Sequence, residues 1–260
     1  MLYRLFIVTC LVRRSLSSNQ ALQDLLSSAS HKMYLNSSMK NLRLRYGICE
    51  FVQSFHFGEV LSVGIAQENI KHGRTAELSP FIHFDALDVH KGNPFTISVL
   101  ARIDPSYTLH RFHKCMFWYS NKGKYHIRFS FSAKTLRLKL RISIGQTVYE
   151  YVAGEALQGK TSMGVWQLLT TSYNPRKNLV INYVNNKSYI APPLRKPGSM
   201  LPKVDKVFFG IFLVAKMAWV MIFPYMLKQN DVTSLYDNFL SSKVWEHGVR
   251  HFEVKSREKT

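Results

Sequence analysis

The stretch VFFGIFLVAKMAWVMIFPYML, Val207 to Leu227, is the most apolar run of the chain, and its reading decides the fold. A helix rises about 1.5 Å per residue, so a run of this length reaches across a bilayer core of roughly 30 Å. That would make a type I membrane protein with a short basic tail that includes KSREKT. Lys216 stands near the middle of the run, where a charge in hydrocarbon costs about 3 kcal/mol, and Pro224 lies in the last turn. The competing reading divides the run into two buried strands, Val207–Val214 and Met217–Tyr225, with Ala215-Lys216 as the break. Without these two strands, the segments around Trp118, Phe129 and Trp166 would leave their aromatic faces in water. Two buried strands are therefore the expectation.

Outward from this run, the chain from Tyr46 has the texture of an antiparallel β domain. Short aromatic and β-branched runs are punctuated by HKGNP, SNKGK, YNPRKN and APPLRKPGS. In KTLRLKLRISI, Leu136, Leu138, Leu140, Ile142 and Ile144 alternate with Arg137, Lys139 and Arg141. Just upstream, Tyr125, Ile127, Phe129 and Phe131 alternate with His126, Arg128 and Ser130, so the two runs predict a hairpin with one wet face. GVWQLLTTSYN and NLVINYVNN, separated by PRK, predict a second antiparallel pair. No repeat and no internal boundary interrupts this pattern, which points to a single sandwich over residues 45–241. Residues 18–44, with ALQDLL at their centre, read as a linker or a short helical or disordered extension, and residues 242–260 as a basic tail.

The order of segments resembles the laminin-G-like, concanavalin A-like jelly-roll domains. Phe81–Pro105 is similar to that family's strand, short loop and following "pFTisfwv" strand, and Gly164–Asn186 to its Trp-led hairpin. The hairpin Lys124–Ile144 falls where the family has two mid-domain strands, and Met217–Phe239 resembles the closing strand, turn and short helix. Two departures stand out: Asn186 occupies a turn position where Gly is usual, and Ala218-Trp219 replaces an Asp before the closing strand. The resemblance implies an all-β antiparallel jelly-roll sandwich with a short C-terminal helix. It also implies a binding or adhesion module, or a polysaccharide hydrolase on the same fold.

Composition narrows these classes. Lys plus Arg number 35 against 16 Asp plus Glu, a formal charge of +19, which suits anionic partners. Glycosidases of this fold need two carboxylates at close range. The pairs Asp85/Asp88 and Glu150/Glu155 do not share one strand face, and no nucleophile motif is present. The expectation is a non-catalytic module that recognises a glycan, an anionic one included, or an extracellular protein. His126, Arg128, Arg137, Lys139 and Arg141 are the candidate anion contacts, because nothing acidic alternates within their strand face. The aromatics of this hairpin lie on the opposite face, which argues against stacked nucleic acid bases.

Related domains bind Ca²⁺ in rim loops, and Asp85, Asp88 and Asn93 offer hard oxygen donors, although a polar loop with Asx turns explains them as well. No other cofactor is expected. His110/His113 and His247/His251 have metal-compatible spacing but lack further ligands nearby, so they read as surface histidines. Residues 1–17 read as a signal peptide: Arg4, the apolar Leu5–Val12, then Ser15-Leu16-Ser17. Arg13-Arg14 interrupts that pattern, and an uncleaved extension is the alternative. Secretion would leave Cys49 and Cys115, compatible with one disulfide or with two buried thiols, and would expose sequons at Asn36 and Asn186.

Overall fold

The computed structural model describes residues 20, 22–34, 42–45, 49–54, 57–63, 75–78, 93–104, 114–121, 125–132, 135, 137–144, 147–155, 164–192, 206–211 and 215–240. The alternating runs pair as antiparallel strands in two sheets. One is eight-stranded, in the order β13(Lys187–Ala191), β12(Leu179–Val184), β11(Trp166–Asn174), β6(Phe95–Ile103), β15(Ala215–Phe223), β4(Gly58–Val63) and β3(Cys49–Ser54), with β1(His31–Tyr34) added to β15. The other is seven-stranded: β10(Thr147–Ala153), β9(Leu138–Ile144), β8(Tyr125–Phe131), β7(Lys114–Asn121), β14(Lys206–Ile211), β5(Thr75–Leu78) and β2(Leu42–Arg45). The fold is an all-β antiparallel jelly-roll sandwich.

The apolar run that opened the sequence reading forms β14 and β15, and the two strands belong to different sheets. β14 lies between β7 and β5, whereas β15 lies against β6 on one side and β4 and β1 on the other. No helix among the described residues is long and apolar enough to cross a membrane. The break differs from expectation, because Ala215 and Lys216 already belong to β15, opposite Ile103 and Arg102. Period two explains how a lysine is accommodated there: Ala215 and Met217 are buried while Lys216 between them is only partly so. A register shift between Met217 and Trp219 then changes the phase, so that Trp219, Met221 and Phe223 share the outer face with Leu100.

That outer face is the reason β6, β11 and β15 are buried along nearly their whole length. Leu100, Trp166, Leu168, Tyr183, Trp219, Met221 and Phe223 pack with Leu22, Leu227, Val232 and Leu235. Val232 and Leu235 come from the helix Gln229–Leu240, where i and i+3 fall on one face. Each fully buried side chain of this kind contributes about 1.5–3 kcal/mol. Asp231 caps the helix start by accepting from Lys228 N at 2.9 Å. Thr96 Oγ1 ties the approach to the sheet, donating to Tyr225 O at 2.8 Å and accepting from Leu227 N at 3.0 Å.

Residues 18–44 hold the short helix that was one expectation for them, and also strands that belong to the sandwich. Residues 22–28 are helical and bury Leu22, β1 pairs with β15, and β2 pairs with β5, so the domain begins before residue 45. Ser30 Oγ donates to Ile222 O at 3.0 Å, and Ser28 Oγ lies 2.5 Å from Tyr225 OH. Four-residue strands carry little local pattern; their partners lie far along the chain and tertiary pairing decides them.

Between the sheets, Tyr173 on β11 meets Phe95 at 5.5 Å and Tyr151 of the opposite sheet at 5.8 Å. Two polar ties cross the same gap. Tyr151 OH donates to Asn178 Oδ1 at 2.7 Å, and Asn182 Nδ2 donates to Leu138 O at 3.1 Å and Ala153 O at 3.2 Å. Asn178 closes the β11–β12 turn with φ 48°, a left-handed conformation that Asn tolerates better than most residues.

Candidate functional site

The β8–β9 hairpin forms as the alternation predicts, with Phe129 opposite Leu140 and Arg128 opposite Arg141. Ile127, Phe129, Leu140 and Ile142 are buried on the inner face, which sends Arg128, Lys139 and Arg141 to the outer face. β10 adds the third strand and places Glu150 directly opposite Arg141. Glu150 Oε1 lies 3.2 Å from Lys139 Nζ and 3.4 Å from Arg141 Nη1.

This differs from the sequence expectation in two respects. The face carries a carboxylate, supplied by β10, and Lys139 is not a solvated charge, since its side chain is only 4% exposed. Arg141 is 22% exposed and Glu150 37%, so solvent reaches the site from their side. Burial of Lys139 requires a partner, because an unpaired buried ammonium is far costlier than a paired one. The net result is two cations on one carboxylate with Arg128 on the neighbouring strand of the same face, an excess of positive charge on the sheet. Arg141 Nε is buried and has no hydrogen-bond acceptor among the described residues.

Arg137 precedes β9 and is exposed, and its carbonyl accepts from Ser132 N at 2.9 Å to close the hairpin turn. His126 on β8 stands opposite Ser143 on β9 and Ser120 on β7. Arg128, Lys139 and Arg141 are therefore brought together, with His126 one pair further along and Arg137 at the margin. What the sequence reading lacked was Glu150. Its signal was a lone acid flanked on both sides by Val148-Tyr149 and Tyr151-Val152, legible only once β10 is set beside β9.

The other candidate residues fall elsewhere. Asn93 is exposed just before β6, while Asp85 and Asp88 lie outside the described residues, as do Asn36, His110, His113, His247, His251, residues 1–17 and residues 242–260. Among the described residues no group of three His, Cys, Asp or Glu is placed to hold a metal. Cys49 lies on β3, opposite Val63, and Cys115 on β7 of the other sheet, opposite Ser130 and Ile211; their side chains lie outside the described residues. Glu155 pairs with Lys187 at 3.5 Å across the edges of the two sheets. The neighbouring Tyr189 phenol, and next the Lys187 charge, hold the Glu155 carboxyl below its usual range. Burial, followed by the Glu155 carboxylate beside it, pushes the Tyr189 phenol up to about 12.

No family model matches the chain, and no curated protein matches it in sequence. Solved structures match it in fold. The binding domain of Paraclostridial Mosquitocidal Protein 1 superposes with a TM-score of 0.58 at 13% identity, over 85% of this chain and 55% of that one. The botulinum neurotoxin serotype D ligand binding domain, solved with N-acetylneuraminic acid, gives 0.55 at 11% identity over 85% and 53%. The binding domain of botulinum neurotoxin DC, solved with rat synaptotagmin II, gives 0.59 at 13% identity over 82% and 52%. This chain thus spans about half the length of those domains. The likeness is one of jelly-roll architecture.

Proposed function

We propose that this chain is a non-catalytic, extracellular binding module that recognises an anionic glycan through the outer face of β8, β9 and β10. The observation that carries this reading is the convergence of Arg128, Lys139 and Arg141 on one sheet face, with Glu150 as the counter-ion of Lys139 and Arg141. Glu150 fixes Lys139 and Arg141 in place and neutralises only part of their charge. A sulfate or carboxylate arriving from solvent accepts from the guanidinium groups of this face as charge-assisted hydrogen bonds.

The likeness to domains solved with a sialic acid and with a protein receptor supports a binding role. The sequence resemblance to laminin-G-like domains and the signal-peptide pattern read in residues 1–17 support an extracellular setting. Ca²⁺ has no part in this proposal. A screen of the purified chain against sulfated, sialylated and neutral glycans tests it. Retention of anionic glycans that declines with salt supports the reading; binding only to neutral glycans, or glycan turnover, overturns it.

A further inference from the structure

We infer that Asn186 is an N-glycosylation site, and that its glycan stands beside β13, the edge strand of the eight-stranded sheet among the described residues. This rests on the extracellular reading above. Asn186 is the second residue of the two-residue turn that joins β12 to β13, with Val184 opposite Lys187. The left-handed position of that turn is taken by Asn185, at φ 57°.

Five asparagines lie in β11, β12 and their turns, and four are tied into the fold. Asn174 Oδ1 accepts from Lys177 N at 3.1 Å, Asn178 Oδ1 from Tyr151 OH at 2.7 Å, and Asn185 Oδ1 from Leu168 N at 3.0 Å. Asn182 donates to the facing sheet, as described above. Asn186 differs. Its backbone carbonyl accepts from Gln229 Nε2, which holds the turn against the closing helix, while its carboxamide has no hydrogen-bond partner among the described residues.

Asn186, Lys187 and Ser188 are all exposed, so the whole Asn-x-Ser sequon is open to a transferase. The transfer joins Asn186 Nδ2 to the anomeric carbon of an oligosaccharide carried as its polyprenyl diphosphate. The bond from that carbon to the diphosphate oxygen breaks, the diphosphate leaves with the electron pair, and the amide gives up one proton.

The position has a physical consequence. β13 is a sheet edge with Ile190 69% exposed, the kind of strand that invites pairing with another chain. A bulky hydrophilic group at its first turn blocks that approach from one end.

The full chain is expressed in a eukaryotic secretory host and fractionated, and the peptide bearing residue 186 is analysed by mass spectrometry with and without peptide-N-glycosidase. The expected result is a glycan on the secreted chain, with Asn186 converted to Asp on enzymatic release. Ser188→Ala abolishes the modification and Ser188→Thr retains it. A secreted chain with Asn186 bare overturns the site alone, as does a modification that survives Ser188→Ala. A chain that stays in the cytosol overturns the extracellular reading on which the site rests.

Discussion

The ammonium of Lys139 lies 3.2 Å from the carboxylate of Glu150, on a sheet face that also presents Arg128 and Arg141. Because the lysine is buried and the glutamate partly open to water, the pair is asymmetric: removing the acid weakens the pairing of a buried charge, whereas removing the lysine leaves Glu150 still served by Arg141.

Glu150→Gln is therefore predicted to lower stability by about 2 kcal/mol, the cost of leaving a buried charged donor poorly paired. Lys139→Met should cost less. Urea unfolding of both variants checks the ordering. The same Glu150→Gln protein should be retained longer on an anionic column, since its outer face gains positive charge.

Asn182→Leu removes both donations from β12 to the carbonyls of Leu138 and Ala153. With two buried acceptors left unserved, about 3 kcal/mol of stability should be lost. A midpoint in denaturant unchanged from wild type would show that these cross-sheet ties are replaceable.

Thr96→Val keeps the shape and deletes the hydroxyl that bonds Tyr225 O, Leu227 N and Ser172 Oγ. A loss of about 2 kcal/mol is expected. Hydrogen exchange should quicken selectively in residues 227–235, because the helix entry is released before the sheet.

The tyrosines predict an alkaline limit. Burial raises Tyr151, Tyr173 and Tyr183 above the ordinary phenol value of 10.0, and Tyr189 reaches about 12. A phenol raised in the folded state favours folding below its unfolded value, and that contribution is lost as pH rises through 10 and beyond. Glu155 has the opposite sign. Depressed in the folded state, it contributes above 4.5 and loses that contribution as pH falls below it. Tyrosinate absorbance followed with circular dichroism should show ionisation and unfolding together above pH 10, and Tyr189→Phe should shift the onset upward.

How much of this was legible follows from the range of each signal. Alternation in residues 125–144 gave both the hairpin and the outward face of Arg128, Lys139 and Arg141, because period two is a local property. The apolar run Val207–Leu227 was legible as two strands, yet their separation into opposite sheets was not, since sheet membership depends on β7 and β6, whose paired residues lie 86 or more positions upstream. β1 and β2 were hidden for the same reason. The site was half-visible: its cations lie on two adjacent strands, whereas Glu150 enters from a third whose register the sequence does not state. The polar ties of Asn182 and Asn178 had a faint signal, a polar residue at a buried phase of "NLVINYV".

The claim that anionic glycans bind the outer face of β8, β9 and β10 is tested most directly by the affinity of a double variant, Arg128→Glu with Arg141→Glu. A sulfated oligosaccharide serves as probe, and the folded state is verified by circular dichroism. Loss of about 3 kcal/mol, on the order of a hundredfold in Kd, is the expected result. Arg176→Glu with Lys177→Glu, on the exposed β11–β12 turn, is expected to leave affinity close to wild type. Equal losses in the two double variants, or none in the first, would contradict the assignment of this face.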